Sequence, residues 1–322
     1  MQTSNGIKRR LRGVKSIGQI TKAMELVAAT KMRRSQGVAL DSRPYAYAAL
    51  ELLANVSEAV VDYTPKLLEK RPVKTTAVVV VASDKGLTGS FNSAVFRAFE
   101  RYVNNGSPTS AYMQKSDFRY IAVGQKAVSY VQKRVGPVET GFTKFGDYTT
   151  LEEVQPLADF LIDGYLTGRW DEVRFIATNF KSALSQEVIQ RRILPVEVES
   201  IKRTAEEIIP KTGRFADTLR ESGVGFFQAL PHSMVERDYI IEPSPQVVLD
   251  QLIPYLVRMQ IYHIILEANA SEHAARRLAM KNASDNASEI VDSLTLEYNK
   301  SRQANITREL IEIIGGAEAI SR

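Results

Sequence analysis

An α/β fold with a mostly parallel sheet, its two chain ends drawn out into a long antiparallel coiled coil, is the architecture this sequence predicts. Three observations lead there. Residues 7–36 contain no proline and step apolar side chains at Ile7, Leu11, Val14, Ile17, Ile20, Met24 and Val27, the spacing of one face of a helix. From Pro245 to the end, Pro254 is almost the only helix-breaking signal, and some 75 residues at 1.5 Å each would run about 110 Å, far more than a globular domain is wide. Between these ends, β-branched runs alternate with helical ones, the pattern of βαβ units.

The first segment, residues 1–65, reads as the N-terminal coiled-coil helix, with a kink or break at Asp41-Ser-Arg-Pro44, because proline inside a helix loses a hydrogen bond and clashes with the preceding turn. An α/β domain follows over 72–198. Its first strand is Thr75–Ser83, a continuous β-branched run suited to burial on both faces. Further strands are expected at Phe118–Val123 and Val173–Phe180, with helices at Ser90–Val103, Gly124–Lys133 and Thr150–Leu166, a Rossmann-like alternation. Val188–Pro195 adds a strand, placed at an edge because Pro195 ends it. Residues 200–237 form an inserted link, and 245–322 the C-terminal coiled-coil helix, with Ser244 as N-cap and Pro245 as its first residue. Near its end Ile306, Leu310, Ile313 and Ala317 step by four, three and four, a coiled-coil seam that needs a partner helix. The N-terminal helix is the expected partner.

Composition narrows the function. The 322 residues are 44% hydrophobic, enough for a real core. No run of about 18 uncharged apolar residues is present to span a membrane, and the basic N-terminus lacks the apolar region of a secretory signal. Cysteine is absent, so disulfides, thiolate metal sites and thiol nucleophiles are excluded. Charge is concentrated at the start. Lys8, Arg9, Arg10, Arg12, Lys15, Lys22, Lys31, Arg33 and Arg34 face Glu25 alone, nine cations against one anion, hence +8 over residues 1–36 against +5 for the whole chain. Such a helix can meet nucleic acid, anionic lipid or an acidic protein. The first aromatic residue is Tyr45, which leaves no stacking platform for single strands and no aromatic anchor for a bilayer. An acidic protein surface is therefore the expected partner, and nucleic acid is not.

Candidate chemistry is sparse. The loop Ser83-Asp-Lys-Gly-Leu-Thr-Gly-Ser90 sits between a strand and a helix, where open α/β sheets bind ligands. It fits neither Gly-x-Gly-x-x-Gly nor the P-loop pattern, since Lys85 precedes its glycines. His232, His263 and His273 have no metal partner at useful spacing. Ser271, His273 and Asp285 supply the residue types of a catalytic triad, but helix positions i and i+2 diverge. The reading is a chain with no catalytic residues, no metal and no cofactor.

Both ends carry a resemblance. Ile20-Thr-Lys-Ala-Met24, Val27-Ala-Ala29, Lys31-Met-Arg33 and Gln36 at the start resemble the γ subunit of bacterial F-type ATP synthase. So do Ala270-Ser-Glu-His-Ala-Ala-Arg276, Ala279-Met-Lys-Asn-Ala-Ser-Asp-Asn-Ala287, Tyr298-Asn-Lys-Ser-Arg-Gln-Ala304 and Ile306-Thr-Arg-Glu-Leu-Ile-Glu-Ile-Ile-Gly-Gly-Ala317 at the end. The resemblance implies a central rotor stalk, one copy per complex, coupling ion flow through the membrane ring to conformational change at the catalytic β subunits. It implies contacts with the catalytic subunits at Met24, Lys31, Arg33, Arg34, Asp84, Lys85, Arg302, Gln303, Thr307 and Glu309, and with the ring of c subunits at Tyr239 and Glu242. The α, β and ε subunits and the c ring are the implied partners, and the cytoplasmic face of the cell membrane the implied location. Residues 200–237 exceed the short link of most bacterial members and correspond to the site of a redox-regulatory insertion in chloroplast ones. Without cysteine that regulation is excluded. The competing reading is a nucleotide-using α/β enzyme with helical extensions, disfavoured by the missing phosphate loop.

Overall fold

The computed structural model describes residues 4–41, 63–105, 117–146, 149–197 and 241–320. The elements in chain order are α1 (Ser4–Asp41), β1 (Thr75–Val81), α2 (Phe91–Asn105), β2 (Asp117–Val123), α3 (Gln125–Arg134), β3 (Val138–Phe142), α4 (Leu151–Leu166), β4 (Glu172–Phe180), β5 (Gln186–Leu194) and α5 (Pro245–Ile320). The chain divides into two compact units, one of residues 1–29 with 276–322 and one of 30–275.

In the larger unit the five strands lie in the order β3-β2-β1-β4-β5. β1 pairs in parallel with β2 and β4, β2 in parallel with β3, and β5 returns antiparallel to β4. The mostly parallel sheet and the outer position of the last strand match the sequence reading. β1 is central and covered on both faces, which is why it is an almost unbroken run of valines. Alternate residues serve opposite cores. Val78 and Val80 pack with Val95, Phe99 and Tyr102 of α2 and Ala127 and Val131 of α3. Ala77, Val79 and Val81 pack with Leu157 and Leu161 of α4 and with Ile253, Val257, Ile261 and Ile265 of α5.

Local chemistry fixes the helices. Thr150 caps α4 in a full capping box with Glu153, whose carboxylate accepts the Thr150 backbone N–H. Trp170, wholly buried, donates from Nε1 to Leu161 O at 3.0 Å. Its indole lies where a side chain on Gly164 would be, since a Cβ there would stand 1.9 Å from the ring. The Ser244 hydroxyl accepts the Val247 N–H at 3.4 Å, so the expected cap and Pro245 start of α5 are observed. Arg258 bonds Asp159 of α4 at 2.7 Å, and Asn269 Nδ2 donates to Thr149 Oγ1 at 2.6 Å. His263 and His273 are buried packing residues of α5.

The structure adds a strand and leaves one expectation outside the described residues. β3 was not foreseen: Val-Glu-Thr-Gly-Phe is short, half-exposed and contains residues that disfavour strands. The N-terminal segment is helical over Ser4–Asp41, but the expected break at Asp41–Pro44 lies mostly, and the stretch to 62 entirely, outside the described residues. Residues 63–65, the end of that expected helical segment, are irregular chain leading into a turn at 66–68.

Candidate functional site: the helix pair and the loop after the first strand

In the smaller unit the two chain ends pair. Among the buried and half-buried positions of α1, Ile7, Leu11, Val14, Gly18, Thr21, Glu25 and Ala28 follow alternating steps of four and three that define a heptad seam. On α5 the matching positions are Met280, Ser284, Ala287, Val291, Leu294, Tyr298 and Ser301. A Cβ built on Gly18 would lie 3.3 Å from Ala287 Cβ, which sets the register. Counting outward along the antiparallel pair puts Ile7 opposite Tyr298, Leu11 opposite Leu294, Val14 opposite Val291, Thr21 opposite Ser284 and Glu25 opposite Met280.

This seam corrects the sequence reading in two places. The apolar run had continued through Ile17, Ile20 and Val27, but these residues are 56%, 59% and 53% exposed. Close helix approach selects small side chains, so the seam passes through Gly18, Thr21 and Ala28 and leaves the larger residues outside. Met24 is half-buried beside that seam rather than on it. The second correction concerns Ile306, Leu310, Ile313 and Ala317, which are all exposed. In this register Ser4, the first described residue of α1, falls opposite Ser301, so no described residue of α1 stands against them. From Arg302 to Ile311 every residue of α5 is exposed, including Ile306, Leu310 and Ile311.

The remaining expected contact residues fall as follows. Arg302, Gln303, Thr307 and Glu309 are on that exposed stretch. Thr307 donates its hydroxyl proton to Gln303 O at 2.9 Å, within its own helix, so only the acceptor side of the hydroxyl faces outward. Arg33 and Arg34 are exposed and Lys31 half-buried, all in the part of α1 that belongs to the larger unit. Glu242 is exposed ahead of α5, and Tyr239 lies outside the described residues.

The loop after β1 is tied down by its own side chains. Asp84 accepts the Gln125 N–H at 2.8 Å and the Lys144 N–H at 3.0 Å. It therefore occupies the N-terminus of α3, the place where a phosphate would dock in a nucleotide site. Asn92 Oδ1 accepts the Ser83 N–H at 3.0 Å, while its Nδ2 donates to Ser83 Oγ and Thr88 Oγ1. Gly124 makes this packing possible: at φ +90° a Cβ would come within 2.0 Å of Ala82 O. What the loop offers outward is Lys85 and Leu87, both exposed, with Leu87 at φ 65°. A non-glycine residue held there is strained. Nothing in the composition singled out Leu87 or Asn92; their roles follow from the hydrogen bonds around them.

The site defines a class first. The described residues present exposed faces on the helix pair and, on the α/β unit, a loop closed by its own side chains rather than open to a phosphate, features of a helical subunit rather than of a nucleotide-binding enzyme. The comparisons give the family. The family model described as ATP synthase matches residues 3–320. The ATP synthase gamma chain of Roseiflexus castenholzii is 38% identical over all of this chain and 99% of its own length. That of Trichormus variabilis is 35% identical over the full length of both chains. Among solved structures, a chain of the Euglena gracilis mitochondrial ATP synthase (OSCP/F1/c-ring) aligns with TM-score 0.59 at 19% identity, covering 98% of this chain and 94% of that one. A Tetrahymena thermophila central stalk/c-ring chain aligns with TM-score 0.53 at 22% identity, over 82% of this chain and 99% of that one. The chain belongs to the ATP synthase gamma chain family and serves as a non-catalytic central-stalk subunit of a membrane-associated complex. Family membership sets aside the nucleotide-enzyme alternative.

Proposed function

We propose that this chain couples ion flow through a membrane ring of c subunits to successive changes of nucleotide affinity at three catalytic β subunits, as one copy per complex. The reading places the helix pair within the α and β subunits, an ε subunit beside the stalk, and the whole on the cytoplasmic face of a bacterial cell membrane. The observation that carries it is the length of α5 beyond its partner, where ten consecutive residues from Arg302 are exposed and mix Ile306, Leu310 and Ile311 with Arg302, Gln303, Arg308 and Glu309. Among the described residues nothing covers this stretch, and a helix that bare draws its stability from a surrounding assembly. Its mixed face suits contacts that must form and break at each step, because charge-assisted hydrogen bonds give specificity without a deep apolar interface.

Arg302, Gln303, Thr307 and Glu309 would contact the catalytic subunits from α5, and Met24, Lys31, Arg33 and Arg34 from α1. Lys85 would do so from the loop after β1, with Asp84 holding that loop in place. Tyr239 and Glu242 would meet the polar loops of the ring. The 200–237 segment is proposed as an insertion that works without thiol chemistry. The experiment is reconstitution of the complete complex with Gln303→Ala/Thr307→Ala. ATP hydrolysis should persist while ions pumped per ATP fall, the pair contributing about 1–3 kcal/mol of hydrogen bonding to charged partners. Unchanged pumping efficiency would contradict this placement. Met24→Lys offers a second arm: a new cation beside the +8 segment should deepen one angular well and lower pumping per ATP. Wild-type efficiency would remove Met24 from the contact.

A further inference from the structure

We propose that Gly18 and Ala287 are the positioning pair of the coiled coil, the contact that sets its register and thereby which residues face outward at each level. The inference rests on the stalk reading for its functional consequence, but its structural half stands alone. Toward the far end of the seam the opposed residues are large: Leu11 meets Leu294 and Val14 meets Val291. At Gly18 and Ala287 the gap closes to a distance at which a single added methyl group would be 3.3 Å from its neighbour, tighter than ordinary van der Waals contact.

A slip of one heptad would set Leu11 against Ser301 or Ala287 and Val14 against Tyr298 or Ser284, which loses apolar pairing at those levels. Gly18 adds a steric constraint to that loss. A slip would set it against Leu294 or Met280, either opening a void where the backbones separate or forcing those side chains into a space that has no room for them. The neighbouring seam residues add no competing specificity. The Thr21 hydroxyl donates to Ile17 O and Gly18 O at 3.1 and 3.0 Å, and Glu25 accepts from Lys22 at 2.9 Å, so both polar groups are satisfied within α1. Because seven residues of slip displace one helix by two full turns, register decides whether Ile17, Ile20 and Val27 on α1 and Arg302 on α5 are presented at the heights an assembly requires.

The natural chain has no cysteine and a single tryptophan, so the test is clean. In the full-length chain, Val14→Cys/Val291→Cys should form a disulfide nearly completely under mild oxidation. Adding Gly18→Leu should cut that yield at least fivefold, while the Trp170 fluorescence of the larger unit stays native. The swap Gly18→Ala/Ala287→Gly, which moves the methyl group across the seam, should keep the cross-link at wild-type yield. An unchanged yield with Gly18→Leu, or a swap as damaging as the leucine, overturns the proposal. In the reconstituted complex Gly18→Leu should lower ions pumped per ATP at least threefold and the swap should restore it. Unchanged pumping in a complex that contains the Gly18→Leu chain overturns the coupling role alone. Failure of the natural chain to enter the complex would instead refute the stalk reading.

Discussion

The two units stabilise themselves in opposite ways. The α/β unit buries mainly apolar layers on both faces of its sheet, with Val78, Val79, Val80, Phe99, Leu157, Leu161, Trp170 and Phe175 fully inaccessible. The helix pair has a seam with glycine, threonine, serine and glutamate in it, and it keeps Ile17, Ile20, Val27, Ile306, Leu310 and Ile313 outside. One unit is finished by its own residues; the other buries Ile7, Met280 and Leu294 in its seam but leaves several equally large side chains outside it. The difference teaches how to read a long helix in such a chain: an apolar residue next to a small one is not by itself the seam position, because close approach of two helices can select the small one.

Trp170→Ala is the change that should separate the units most. It removes a fully buried indole, its hydrogen bond to Leu161 O and the packing on Gly164, at a cost of about 3–5 kcal/mol. Denaturant unfolding followed by circular dichroism should show the early loss of the strand signal. A change under 1 kcal/mol would mean that this core is not the source of the unit's stability. Leu294→Ala, in the seam, should cost about 2–3 kcal/mol and act on the helix pair. Leu310→Ser, in contrast, should leave the isolated chain within about 0.5 kcal/mol of wild type, because the residue is already exposed. Equal effects of these two leucines would erase the distinction between seam and outer surface.

What was legible in the sequence follows the same division. The βαβ alternation, the buried first strand, the outer fifth strand and the Ser244 cap were all readable, because each depends on side chains within a few residues of one another. The seam was readable only as far as Val14. Beyond it the hydrophobic pattern and the packing pattern part company by one residue, at Ile17 against Gly18, and hydrophobicity alone follows the wrong one. Arg302, Gln303, Thr307 and Glu309 are exposed, whereas the Thr307 bond to Gln303 O and the Asp84 brace across three segments depend on geometry that spacing does not carry.

The smallest effect concerns alkaline pH. Burial, then the hydrogen bond to Glu100, pushes the Tyr130 phenol up to about 12. Burial likewise raises Tyr120, Tyr165 and Tyr262 above the usual tyrosine value. All four belong to the α/β unit. A raised folded-state value means that the unfolded chain ionises first as pH rises, so the stabilisation is complete below about pH 10 and is lost between there and about pH 12. Stability of the α/β unit should decline over that window, and Tyr130→Phe should make the decline shallower. A variant with the same alkaline slope as wild type would show that Tyr130 does not contribute.

The central claim, that the bare end of α5 works by turning against catalytic partners, is tested most directly by tethering it. With Gln303→Cys as the chain's only cysteine and a single cysteine on the facing surface of a catalytic subunit, oxidation of the assembled complex should form an inter-subunit disulfide. ATP hydrolysis should then stop, and reductant should restore it. Hydrolysis that continues at the untethered rate with the disulfide fully formed would contradict the account.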